Sequence, residues 1–212
     1  MMKYLCFLFV LIGMSGCSLS PIHEDLLSTY HLTTSNTRVT QCQHQGDSKV
    51  FDTNSINETL MLSPMEMNPG FDTSSMMYSY GSQPNKLYHF ANNMWVAPPA
   101  QMLLPLMAMA IQQQCAYKAV VIPPYIGISD KVLSTRLLYM KQNFSDKQHS
   151  EVEAAIEATL IDSRSHKVLW TRVFRQTEPN AGSNPASGVH AMNRLVHDLL
   201  SKIAGVVKIG VS

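Results

Sequence analysis

The stretch from Leu87 to Gln114, LYHFANNMWVAPPAQMLLPLMAMAIQQQ, constrains the fold more than any other part of the chain. It opens with a short apolar run carrying Tyr88 and Phe90, and Trp95 follows just ahead of Pro98-Pro99. A residue before proline is pushed towards extended geometry, whereas proline itself is tolerated in a first helical turn, where its missing amide would be unpaired anyway. Trp95 to Ala97 is therefore expected to be extended, with Pro98-Pro99 marking the turn into a helix. From Ala100, residues Leu103, Leu106, Met107, Ala110 and Ile111 recur at helical spacing, while Met102, Leu104 and Met109 fill the other faces. This predicts a helix apolar nearly all round, hence buried, with a kink or delayed start at Pro105.

The amino terminus gives an address. Lys3 precedes a short apolar core, Leu5 to Ile12, well under the about 20 apolar residues that a spanning helix needs, so the segment reads as a secretory signal. It ends in Met14-Ser15-Gly16-Cys17, which resembles the bacterial lipobox: the peptide before the cysteine is removed and Cys17 is acylated. Long acyl chains hold such a protein in a membrane almost permanently, each buried methylene contributing about 0.8 kcal/mol. Ser18 at the next position resembles the sorting signal for export to the outer membrane, where an Asp tends to retain a lipoprotein in the inner one. The expected organisation is a signal peptide over 1–16, a lipidated tether over 17–27 and one domain over 28–212, on the periplasmic side of the outer membrane.

Removing residues 1–16 lowers the basic count from 16 to 15, against 15 acidic residues, and so leaves no net charge. With no Lys/Arg run either, nucleic acid is not expected as a partner. The mature thiols besides Cys17 are Cys42 and Cys115, a candidate disulfide in an oxidising compartment, although two thiols alone do not show that they are neighbours.

Along the chain, Thr29 to Thr33 alternates as a first strand, and the polar segment Thr34 to Asn57 reads as a long loop with a short edge strand near Arg38 to Cys42. Thr59 to Met67 reads as a strand entering an edge or bulge at Pro64. Ser75 to Tyr80 and Leu87 to Phe90 form a hairpin. After the helix, Tyr117 to Ile122 is expected as a buried strand, and Val132 to Phe144 as another. Glu151 to Asp162 fits helix and strand equally by spacing. The strongly β segment Lys167 to Phe174, beyond the turn cluster 162–167, requires a hairpin partner and decides for strand. Pro179 to Gly182 is a loop. A last helix opens at Pro185 with Asn184 as cap, buries Val189, Met192, Leu195, Val196, Leu199, Leu200 and Ile203, and weakens at Gly205.

Chemistry is sparse. Cys42-Gln43-His44 offers two metal ligands where a structural zinc needs four, and His190 and His197, the latter beside Asp198, read as a solvated helix face. No HExxH, GxSxG, P-loop or GxGxxG pattern occurs, and no cofactor or catalytic residue is expected. Nine of the 14 methionines lie between Met61 and Met109. Methionine suits adaptable apolar surfaces such as a lipid groove or docking face, but also ordinary core filling, which is the expectation here. Tyr88, Trp95 and Met102 are the candidate partner or lipid contacts, with core and loop-anchor roles the preferred reading for Trp95 and Tyr88.

The order of these parts resembles the ABC-type transport auxiliary lipoprotein family, which includes the lipoprotein of the paraquat-inducible intermembrane transport system. The resemblance rests on the box at Cys17, Tyr30-His31-Leu32, Leu60 to Pro64, Tyr78 to Tyr80 with Leu87-Tyr88-His89-Phe90, Trp95-Val96-Ala97-Pro98-Pro99 with Met102-Leu103, the strands ending at Trp170 to Phe174, and the helix Ala191 to Leu200. The long polar loop and Pro105 depart from the pattern. The resemblance implies an α/β domain with a mixed, largely antiparallel sheet packed by two main helices. It also implies a non-enzymatic accessory of an ABC transporter whose partner is a membrane-rooted mammalian-cell-entry (MCE) domain protein carrying lipids, with a homo-oligomer as a further expectation. The alternative class is a structural or assembly lipoprotein of another envelope machine, for outer-membrane biogenesis or secretion.

Overall fold

The computed structural model describes residues 26–34, 56–146, 149–180 and 182–209. Cys17, Ser18, Cys42 and His44, with the tether before Leu26 and the loop strand near 38–42, lie outside the described residues. One strand is the spine, β7 (Lys131–Phe144). Along one edge it pairs antiparallel over its whole length with β8 (Ser150–Asp162), which pairs antiparallel with β9 (Val168–Asn180). Along the other edge it takes three short parallel strands in succession. These are β2 (Ile56–Leu62), with Leu60 opposite Lys131; β3 (Glu66–Met67), with Glu66 opposite Arg136; and β4 (Ser75–Tyr80), with Tyr78 opposite Gln142. β6 (Tyr117–Val121) adds to β2, the long β5 (Gln83–Trp95) pairs antiparallel with β4, and β1 (Ser28–Tyr30) lies parallel on β5. The result is an open nine-stranded mixed sheet. Most paired residues are antiparallel, as expected, because the two longest ladders are, although more of the strand pairings are parallel.

Among the described residues two helices complete the single α/β domain: α1 (Pro99–Gln112) packs on β6 and β7, and α2 (Pro185–Ile209) on β8, β9 and α1. Strict alternation on β8 sends Val152, Ala154, Ile156, Ala158 and Leu160 into the core and leaves Glu151, Glu153 and Glu157 half-exposed on the other face. Segment 151–162 is thus a strand, and its helical spacing is incidental. Asn184 caps α2 through Oδ1, which accepts from the Ser187 amide at 2.8 Å.

Several expectations need correction. The first helix is not apolar-buried all round: only the stripe Pro99, Ala100, Leu103, Met107 and Ile111 is buried, and the broad buried face belongs to α2. Nor does Pro105 delay the helix, which runs on from Pro99. Pro105 and Gln101, whose carbonyl loses its amide partner, are both on the exposed side, where water can replace the bond. The segment 59–67 divides into β2 and β3 around Pro64, and β2 lies inside the sheet between β6 and β7 rather than at an edge. It begins at Ile56, inside the expected loop. Conversely β6 pairs only with β2, so it is an edge strand with Tyr117 alone buried. β9 continues through Pro179, which a strand with one open edge can accommodate.

Candidate docking surface

Trp95 ends β5 with its side chain buried, 4% exposed. Its amide donates to the Ser74 carbonyl at 2.7 Å and the next amide, of Val96, donates to Tyr30 at 2.7 Å, so the chain is held extended into the Pro98-Pro99 corner. Met102 sits on α1, half-buried against the core. Tyr88 stands elsewhere, on the β4–β5 hairpin. The three candidate contacts are therefore not one site. None of the nine methionines between Met61 and Met109 is exposed; Met76 and Met107 are fully buried and the rest half-buried.

What the register assembles instead is an aromatic face. Tyr78 and Tyr88 are cross-strand partners, their rings stacked at 5.2 Å and 14°. Phe90, two residues from Tyr88 and so on the same face, lies 4.6 Å from Tyr78. Phe144, from the end of β7, meets Tyr78 edge-on at 5.7 Å, and Tyr80 meets Tyr88 at 5.6 Å. Tyr80 is 40% exposed at the rim, and Lys86 stands over the Tyr88 ring at 4.9 Å. Burial, helped by the neighbouring phenols Tyr80 and Tyr88, pushes the Tyr78 hydroxyl above its ordinary value, so it stays neutral. Both helices pack on strands β6 to β9 and leave this hairpin largely uncovered. Alternating aromatics in SMMYSY and LYHF carry the signal for this face, but only Tyr88 stands out without the register.

Beneath the hairpin lies a narrow, partly open crevice of about 10 Å³ between β4, β5, β7 and α2. Met76, Met140 and Met192 give it soft walls, joined by Phe90 and Trp95. Gln142 is its neutral polar element: Nε2 donates to the Ser150 hydroxyl at 2.8 Å, whereas buried Oε1 has no partner among the described residues. The surface thus offers apolar rings, a few neutral donors and acceptors, and two lysines, Lys86 at the rim and Lys141 at the crevice, the latter paired with Glu153 at 3.2 Å. That chemistry binds by burial and shape.

Elsewhere His190 is exposed and His197 Nδ1 stands 3.1 Å from Asp198. Among the described residues no three His, Cys, Asp or Glu side chains converge as a metal site would need. Cys115, in left-handed backbone at φ 50°, is disulfide-bonded, and Cys42, its candidate partner, lies outside the described residues. No helix among the described residues is long and apolar enough to cross a membrane.

Comparison with known proteins agrees with this architecture. A solved protein from Xanthomonas campestris of the DUF330 family superposes with a TM-score of 0.70 at 16% identity, over 86% of this chain and 95% of that one. A hypothetical protein from Chlamydia trachomatis superposes at 0.53 with 10% identity, over 74% and 98%. At these identities the likeness is one of fold. No match to a curated protein was found. The model of the ABC-type transport auxiliary lipoprotein component matches residues 44–204, most of the chain, and the protein belongs to that family.

Proposed function

We propose that this protein is an outer-membrane lipoprotein, anchored through Cys17 with Ser18 as its sorting residue, that serves an intermembrane lipid transport system by binding and not by catalysis. The signal peptide is 1–16, the tether 17–27 and the working domain 28–212. The aromatic face on the uncovered β4–β5 hairpin carries this reading. Tyrosine-rich patches with few charges are what protein interfaces use as energetic anchors, and the helices among the described residues leave most of this one uncovered. A domain of this size cannot bridge the periplasm, so a partner rooted in the inner membrane must reach it, and an MCE-domain protein of the transporter is that partner.

A photo-crosslinking residue in place of Tyr80 tests this in cells. The expected product is a covalent adduct with the MCE-domain protein, weakened by Tyr88→Ala. Adducts only with secretion or outer-membrane assembly proteins would overturn the transport reading in favour of an assembly lipoprotein. The anchor is tested separately: Cys17→Ser should abolish palmitate labelling and leave the precursor uncleaved.

A further inference from the structure

At the opposite end of the sheet from the aromatic hairpin, the chain makes an apolar spike. β6 ends at Val121, opposite Met61, and β7 begins at Lys131, opposite Leu60. The two strands flank β2 at nearly the same level, so the nine residues between them have little distance to cover and project outwards. Residues 123–128 are all exposed; Ile126 is 100% and Ile128 94% exposed. Single exposed aliphatics are ordinary, but two large ones at the tip of one loop are not.

The spike is braced. The Tyr125 amide donates to Ile122 at 3.2 Å and its hydroxyl to the Ile128 carbonyl at 3.1 Å, with the ring folded over Gly127, where a Cβ would fall 2.2 Å from that hydroxyl. At its base the Asp130 amide donates to Thr59 at 3.0 Å, and Asp130 Oδ2 accepts from the Thr59 amide at 2.9 Å. The Ser163 amide, from the β8–β9 turn, donates to the Asp130 carbonyl at 2.9 Å. The two isoleucines are thus held out in water by hydrogen bonds that give their side chains no cover. The same base carries cations that outnumber its two carboxylates, Asp130 and Asp162. Arg164 pairs with Asp130 at 3.2 Å, Lys118 acts on the same carboxylate, and exposed His166 and Lys167 complete the β8–β9 turn.

We infer that this spike, Tyr125 to Ile128, enters the headgroup layer of an anionic phospholipid bilayer, with Lys118, Arg164 and Lys167 against the phosphates. A convex apolar tip with a cationic collar matches a lipid surface in shape and charge: aliphatics go below the headgroups, a tyrosine sits at the boundary and basic side chains stay at the phosphates.

The test uses the full lipoprotein reconstituted into phosphatidylethanolamine–phosphatidylglycerol vesicles, with Ile126→Trp as reporter and the parent chain as background for Trp95 and Trp170. Brominated acyl chains should quench the added indole at least about two-fold, as expected of a group 5–10 Å into the boundary. Ile128→Asp should abolish the quenching, and raised salt should weaken it. Because both isoleucine side chains are exposed, the variants should melt like the parent. Protein that floats with the vesicles while the indole stays unquenched and water-exposed would overturn the spike's role and leave the anchor standing. Capture of a protein by a photo-crosslinker at position 126, with no quenching in vesicles, would overturn it in favour of a protein groove.

Discussion

Trp95 carries a packing role that its neighbours in sequence already suggested. Its ring is buried and its amide is tied to Ser74 at the point where β5 turns into α1. Trp95→Ala should cost about 3–5 kcal/mol, read as a lowered thermal melt, because the cleft beside Met76 and Met192 would become a larger cavity. An unshifted melt would mean that the ring contributes no packing. Asp130 makes a different kind of prediction. The Thr59 amide, then the Arg164 guanidinium, hold its carboxyl below the ordinary value, outweighing the opposing effect of desolvation. A carboxyl lowered on folding contributes stability above its unfolded value, and that contribution is lost as pH falls through the folded one. The stability gap between the parent and Asp130→Asn should therefore be widest at neutral pH and close below about pH 4; a gap constant with pH would refute the linkage. Trp95 was legible because Pro98-Pro99 is a local signal. Asp130 was not, since its partners Thr59 and Arg164 come from opposite directions along the chain.

The helices show the same division between local and distant information at the level of elements. Asn184 and Pro185 announce α2 correctly, because capping is decided within one turn. The burial of α1 is narrower than its composition suggests, because Met and Leu on every face say nothing about how much of the helix the sheet and α2 cover. Gly188 and Gly205 both lie inside α2 and differ in their surroundings. A Cβ on Gly188 would lie 2.4 Å from Gln142 Oε1, whose side chain is buried and held by Ser150, whereas a Cβ on Gly205 meets nothing within 4 Å. Gly188→Ala should therefore destabilise by about 1–3 kcal/mol through overpacking. Gly205→Ala should stabilise by up to about 1 kcal/mol, because alanine is the better helix former and the space is open. Denaturant midpoints of the two variants should move in opposite directions; a shift of the same sign in both would refute the close approach of α2 to β7.

At the scale of the molecule, β7 joins two halves of different construction. On its β8 side the ladder is long, antiparallel and hairpin-connected, and it was legible from alternation and turn residues. On its other side β2, β3 and β4 each meet a different third of β7, with parallel register, before that strand exists in chain order. Nothing local specifies such pairings. Pro64 accordingly read as an edge signal, when it lies in the break between two interior contacts of one segment. The same non-local step builds the aromatic face, which needs Phe144 beside Tyr78. If β7 is the spine, stability should grade outwards from it. Leu133 and Leu137 are fully buried, and both edges of the strand are paired over much of its length. Hydrogen exchange should find the slowest amides on β7 and β8, opening only with global unfolding. The short edge strands β1 and β6, each with one neighbour, should exchange first, together with the open edge of β9. Destabilising the spine with Leu137→Ala, at about 2–5 kcal/mol, should then accelerate exchange in β4 and β5 as much as in β8. Acceleration confined to β8 and β9 would show instead that the two halves unfold as separate units and that the parallel contacts contribute little.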